Sequence, residues 1–330
     1  MARAFKAAER VQLGRTGLSV TRLGLGTAPL AGLYRPVAED DALAALEAAW
    51  ELGLRFFDTA PLYGYGLGET RTGKALRDKP RRDFTLATKV GRLLREGAPP
   101  EPGQVFYGTP PVNPVFDFSY DAVMRSIEES RGRLGIERLD VLHIHDPDDF
   151  HDEALTGAYR ALDELRSAGV IGAVGAGMNQ AEMLTRFARE ADFDCFLLAG
   201  RYTLLDQVAL DELLPACIER GVSIIAAGVY NSGILGDPKP GAHYNYKDAP
   251  AELMQRAQRI RAVCERHQVP LRAAAVQFPL GHPAVQTVVV GCRSVEQVQD
   301  SVRMFETLIP DALWEELKAE RLLPDEAPTP

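Results

Sequence analysis

Apolar positions in this chain gather into eight short runs rich in β-branched residues: LGLGT (23–27), FFDTA (56–60), TLATKV (85–90), VLHIH (141–145), AVGAGM (173–178), CFLLAG (195–200), SIIAAG (223–228) and TVVVG (287–291). A run that is apolar at both odd and even positions reads as a strand buried on both faces. Between the runs lie segments such as AEDDALAALEAAWELG, SYDAVMRSIEESRGRLG and DEALTGAYRALDELRSAG, whose apolar residues recur every three to four positions, the period of an amphipathic helix. Parallel strands alternating with covering helices predict an α/β protein closed into a (β/α)8 TIM barrel, with residues 1–330 as a single domain. An open doubly wound sheet is the alternative. It lacks a G-x-G-x-x-G opening a helix after the first strand, because LGLGTAPLAG leads into a loop.

Ahead of the first strand, VQLGRTGLSVTRLG reads as two short strands about a Gly-containing turn, a β-hairpin laid across the barrel floor. Two connections are too long to be simple links. Residues 91–118 carry Phe106, Tyr107, Phe116 and Phe118 among many Gly and Pro, and residues 229–250 contain NSGILGDPKPGAHYNYKDAP. Long loops in a compact domain usually serve function. Both follow strand C-terminal ends, the face on which barrel enzymes build their sites. The C-terminal segment DALWEELKAERLL is apolar on one side and is expected to pack on the barrel or on a partner subunit.

Composition narrows the function. With 46% hydrophobic and 25% charged residues the chain is ordinary for a soluble protein, and a formal net charge of -9 argues against nucleic acid as a partner. The N-terminal MARAFKAAERVQLG has no apolar stretch after its basic residues, and no later run reaches membrane-span length, so a cytoplasmic location away from membranes is expected. Cys195, Cys217, Cys264 and Cys292 are widely spaced and read as buried, reduced thiols.

The chemistry lies at the strand ends. The second run delivers Asp58, the third Lys89 and the fourth His145, and Tyr63 follows closely in DTAPLYGYG. Asp58 and Lys89, charged and on neighbouring strands, are expected to pair. A lysine beside a tyrosine stabilises the phenolate. Bringing tyrosine from about 10 to near neutrality takes about 4 kcal/mol, roughly what one charge about 4 Å away supplies at an effective dielectric of about 20. Tyr63 is then the proton-transfer residue, Lys89 its activator, Asp58 the anchor of Lys89 and His145 a donor to the substrate oxygen, with no metal required.

The segments FFDTAPLYGYGLGE, TLATKVG and RLDVLHIHDPD, in this order, resemble the tetrad segments of the aldo-keto reductase family. That resemblance implies the catalytic set Asp58, Tyr63, Lys89 and His145 and a nicotinamide cofactor. His143 is then a packed, hydrogen-bonded core residue and Tyr65 part of the loop. By the same resemblance Gly26, Thr27, Asp58 and Asn179 lie toward the nicotinamide. Gly228, Tyr230, Ser232, Gly233 and Leu235 belong to a pyrophosphate-binding loop, and Gly291, Arg293, Gln297 and Asp300 to an adenosine-binding segment. Ser294 and Gln297 equally match a helix capping box, which needs no ligand. Ala199 stands where relatives supply a Gln. Gly291 and Gln297 stand where NADP-preferring relatives carry a Lys and an Arg, while Arg293 is kept, so NADP and NAD both stay open.

Substrate contacts are expected from Tyr63, His145, Asp146 and Tyr34. Asp146 and Asp148 follow His145 where many relatives carry Trp, and carboxylates suit a polyhydroxylated ligand. TAPLAGLY, LLAGRYTLLDQ, AGVYNSGIL and GAHYNY resemble the family's aldose 1-dehydrogenase branch, which includes L-fucose and D-threo-aldose dehydrogenases, with pyridoxal 4-dehydrogenase as a neighbour. The resemblance implies oxidation of an anomeric carbon to an aldonolactone, or alternatively of pyridoxal, or general aldehyde and ketone reduction. Other classes make distinct predictions. A metal-dependent hydrolase using His143 and His145 would hold stoichiometric zinc, and a Schiff-base aldolase would trap at Lys89 with borohydride. A nicotinamide-binding regulator would turn nothing over.

Overall fold

The structure is a computed structural model that describes residues 4–100, 103–245 and 247–330; Tyr246 of the GAHYNY stretch therefore lies outside the described residues. Eight parallel strands close into a barrel. They are β1 (Leu23–Gly26), β2 (Phe56–Asp58), β3 (Thr85–Val90), β4 (Val141–His145), β5 (Ala173–Met178), β6 (Cys195–Ala199), β7 (Ser223–Ala227) and β8 (Val285–Gly291). Each pairs with the next, and β8 returns to β1 with Val288 opposite Leu23 and Gly291 opposite Gly26. The expected strands and their order are all present. The last begins two residues earlier than its apolar run, and the second ends at Asp58, where the backbone turns toward Tyr63.

Side chains at alternate strand positions fill the barrel in layers. Toward the floor, Phe56, Ala87, Val141, Ala173, Cys195 and Ile225 belong to one apolar cluster with Leu13 and Val20, which Val289 extends up to the second cleft at the rim. Those two come from the N-terminal hairpin, whose strands Arg10–Gln12 and Ser19–Thr21 pair antiparallel with Val11 opposite Val20. The hairpin thus plugs the barrel as its sequence suggested. A second, larger cluster lies between the strands' outer faces and the helices, and Leu313, Trp314 and Leu317 of the C-terminal helix Asp311–Ala319 join it. That helix packs on the barrel itself.

Helices start and stop where local chemistry directs. Ser119 caps Tyr120–Leu134 by accepting from the Ala122 amide, and Gly135 ends that helix with a left-handed backbone at φ 62°. The segment expected as one helix over DEALTGAYRALDELRSAG is interrupted. It makes a π-helical turn at Ala154–Tyr159 before the regular helix Arg160–Ser167. Gly157 sits in that turn, where a side chain would meet the Phe118 carbonyl at 2.3 Å. The two long connections are also more ordered than loops. Arg92–Arg95 pairs with Asn113–Phe116 in the first, and His243–Tyr244 with Lys247–Asp248 in the second.

Candidate active site

Asp58, Lys89 and His145 stand one strand apart at the C-terminal rim of the barrel, and the turn after β2 brings Tyr63 over them. Lys89 and Asp58 are both almost completely buried, with Nζ donating to Oδ1 at 2.7 Å, to Oδ2 at 2.8 Å and to the Thr59 carbonyl at 2.9 Å. Burial pushes the Asp58 carboxyl up, and the Lys89 charge beside it pulls the other way. Lys89 Nζ lies 4.7 Å from the centre of the Tyr63 ring, and the His145 ring meets Tyr63 edge-on at 5.9 Å. The four residues predicted from the strand ends therefore do converge.

Histidine 145 is neutral here. Burial holds its imidazole well below the ordinary value, and the charges of Arg92 and Lys89, with His143 nearby, add to that effect. Neutral imidazole keeps one N–H, so it can donate to a substrate oxygen without being an acid. His143 is buried one layer deeper and is likewise held neutral by burial and by Lys89. The sequence reading of His143 as hydrogen-bonded is corrected. Among the described residues neither of its ring nitrogens has a partner. Its space is provided by Gly175 on β5, where a Cβ would stand 2.3 Å from His143 Nδ1.

Two clefts open beside this group. The first, of about 340 Å³, is lined by Tyr63, Lys89, His145 and Asp146, by Arg92 and Gln104, and by Leu33, Leu62, Val105, Phe106, Met178, Asn179, Leu197 and Ala199. Phe106 from the long β3 connection lies over Tyr63, ring centres 6.2 Å apart, so the loop residue noted in the sequence closes the pocket's mouth. Asp146 ends β4 with a left-handed backbone at φ 43° and is salt-bridged to Arg92 at 2.8 Å. Asp148 is not in the pocket. It faces outward and accepts from Gln180 Nε2, so one of the two aspartates, not both, supports a polar substrate.

The second cleft, of about 370 Å³, adjoins the first through Leu33 and is walled by Gly228 to Gly233 and Val289 to Arg293. Tyr230, Ser232, Gly233, Gly291, Arg293, Gln297 and Asp300 all line it, as the sequence suggested. Gln297 also accepts from the Arg293 amide, one residue ahead of the Ser294 cap, so the capping reading holds with a shifted partner. Leu235, Gly26, Thr27 and Asp58 line neither cleft. Leu235 is core, Gly26 packs on Val289, and the Thr27 hydroxyl donates to Thr59. Tyr34 belongs to this second cleft and not with the substrate contacts expected for it. Its ring stacks on His243 at 6.2 Å and its hydroxyl hydrogen-bonds Ser232.

A dinucleotide fits the second cleft on the chemistry of its walls. Gly233 leaves open space where a Cβ would stand, Arg293 supplies a cation for phosphate with Arg272, itself paired with Asp300, beside it, and Asn231 presents a buried Oδ1 without a partner among the described residues. Asn231 and Arg272 were missed in the sequence. Asn231 lies inside the quoted loop and could have been noted as its single amide; Arg272 comes from a helix distant in sequence and carries no local signal. The four cysteines are free and buried, with burial pushing Cys217 and Cys264 up to about 12. Among the described residues no cluster of three or more His, Cys, Asp or Glu could hold a metal, and no helix is long and apolar enough to cross a membrane.

Comparison with known proteins agrees with this geometry. The Aldo/keto reductase family profile matches residues 22–320. A pyridoxal 4-dehydrogenase from Microbacterium luteolum is 48% identical over 97% of this chain and 99% of its own, and a D-threo-aldose 1-dehydrogenase from Pseudomonas sp is 44% identical over 93% and 96%. Among solved structures, a holo-form aldo-keto reductase from Bacillus halodurans superposes with a TM-score of 0.76 at 27% identity, covering 94% of this chain and 95% of that one. The chain belongs to the aldo/keto reductase family and is an NAD(P)-dependent oxidoreductase acting on a small molecule.

Proposed function

We propose that the protein, as one barrel domain in the cytoplasm, oxidises the anomeric carbon of an aldose of the L-fucose or D-threo-aldose type to the aldonolactone, with NADP or NAD. The observation that carries this reading is the meeting of Tyr63, Lys89 and His145 in a pocket whose wall also holds Asp146 and Arg92. The cofactor supplies the acceptor for the hydride that leaves the hemiacetal carbon. Tyr63 takes the hydroxyl proton as the carbon–oxygen double bond forms. Lys89 stabilises the phenolate that must be present beforehand, and Asp58 keeps Lys89 in place through two hydrogen bonds. His145, neutral, donates to the same substrate oxygen and orients it. Gly228, Tyr230, Ser232, Gly233, Gly291, Arg293, Gln297 and Asp300 would hold the cofactor, joined by Asn231 and Arg272.

A second substrate has a specific observation behind it. Similarity to a pyridoxal 4-dehydrogenase over nearly the full length of both chains favours the cyclic hemiacetal of pyridoxal, on which the same residues would perform the same step. Tyr63→Phe is expected to reduce turnover by at least about a thousandfold while reduced-cofactor fluorescence still reports binding. Turnover within tenfold of the parent would remove Tyr63 from the proton-transfer role. A panel of aldoses and pyridoxal with each cofactor, followed at the absorbance of reduced nicotinamide, separates the two substrates.

A further inference from the structure

The substrate pocket contains a charged pair that the tetrad does not use. Arg92 is the first residue of the hairpin that follows β3; its side chain is only 10% exposed and its guanidinium lies 4.5 Å above the Phe116 ring. Its Nη2 donates to Asp146 Oδ2 at 2.8 Å, and that carboxylate oxygen lies 3.6 Å from His145 Nε2. Phe116 stands opposite Arg92 in the hairpin register, so the cation is held by its own strand pair and aimed into the pocket. Burying two charges in a pocket wall is costly, and a pair needed merely to tie the hairpin down could sit at the surface.

We infer that Arg92 and Asp146 form a specificity pair that reads a hydroxyl on the carbon next to the hemiacetal carbon, which makes the substrate class α-hydroxy hemiacetals. The inference rests on the hemiacetal reading above. A substrate oxygen bonded to His145 Nε2 lies about 3 Å from that nitrogen. Asp146 Oδ2, 3.6 Å from the same atom, is then within reach of the next oxygen along the substrate. Vicinal oxygens in a gauche arrangement are separated by about one hydrogen-bond length. A carboxylate accepts and a guanidinium donates, whereas a hydroxyl does both, so an alcohol satisfies the two together. A phenolate would meet Arg92 but face Asp146 with like charge.

The test compares L-fucose and D-arabinose, each with its 2-deoxy form, and includes pyridoxal, whose hemiacetal carbon adjoins a ring carbon bearing no oxygen. The parent enzyme is expected to favour the 2-hydroxy sugar by about a hundredfold in kcat/KM, since a site built around a hydroxyl discriminates strongly against its loss. Arg92→Gln should bring that ratio to within about fivefold, mainly by raising KM for the 2-hydroxy sugar, and Arg92→Lys should restore part of it. Reduced-cofactor fluorescence titration shows whether each variant is folded and binds dinucleotide. Equal rates on the deoxy and hydroxy sugars, or an equal loss on both in Arg92→Gln, would overturn the pair's role. Oxidation of pyridoxal but of no sugar also overturns it and leaves the hemiacetal reading standing. No turnover of any of these by the cofactor-bound parent overturns both.

Discussion

At the scale of single residues, the barrel interior is a packing problem solved with glycines. His143 occupies volume that Gly175 leaves free, and a Cβ at Gly177 on the same strand would stand 3.5 Å from the Lys89 stem. A side chain at position 175 would collide with the imidazole, which is fully buried and cannot swing to solvent. Gly175→Ala is therefore expected to lower stability by about 2 kcal/mol, within the range for overpacked cores. The double variant Gly175→Ala with His143→Ala should recover the part of that loss due to the imidazole, while the Cys195 carbonyl, 2.8 Å from the same Cβ, keeps the remainder. Urea denaturation of the four members of the cycle measures the coupling, and additive effects would show that the collision relaxes elsewhere. His143→Leu alone removes two buried ring nitrogens with no partner among the described residues and is expected to be neutral or stabilising. His145 and His143 thus differ in role although they share a strand face. One lines the pocket beside Tyr63, and the other fills the layer beneath it.

At the scale of elements, the hairpin at the barrel floor has a structural duty separable from catalysis. Leu13 and Val20 are fully buried against the lowest interior layer, far from the rim that carries Tyr63. Leu13→Ala should cost about 2–5 kcal/mol in unfolding free energy, the range for a large side chain deleted from a tight core. The folded fraction should keep its KM, so thermal unfolding followed beside steady-state kinetics checks the claim; a KM shift of tenfold would link the floor to the site. The hairpin was legible in the sequence because Gly and alternation are local signals, and so were all eight strands and the tetrad at their ends. The two long connections were legible as functional but not as hairpins. NPVF and RLLR carry Pro or charge where strand pattern is sought, and their pairing is fixed by partners about twenty residues away. Long-range contacts of the same kind hid Arg272 and Arg92, and placed Tyr34 in the cofactor cleft. The π-helical turn at Ala154–Tyr159 was hidden too; it carries Gly157 against the Phe118 carbonyl, where a Cβ would stand at 2.3 Å, a neighbour that the local helical period does not reveal.

At the scale of the whole molecule, the connections after β1, β3 and β7 meet above the barrel and tie the two clefts together. The Tyr34 amide donates to the Val105 carbonyl at 2.7 Å, the Tyr107 amide to the Gly32 carbonyl at 3.0 Å, and Arg293 reaches the Leu33 carbonyl at 3.0 Å. Tyr34 also touches Ser232 and His243 of the β7 connection, and His243 bridges Gly233. A ligand in the second cleft would therefore contact segments that already brace one another, and ordering one of them should order the rest. Binding to the folded state alone stabilises it by about 2.7 kcal/mol at a hundredfold excess over Kd. Cofactor is accordingly expected to raise the unfolding temperature by several degrees and to slow amide exchange in residues 91–118 and 229–250 together. Exchange slowed in 229–250 alone, with 91–118 unchanged, would mean that the bridges through Tyr34 and Leu33 do not carry order from one cleft to the other. The substrate pocket would then be assembled before the cofactor arrives, and the two ligands should bind without mutual effect on their affinities.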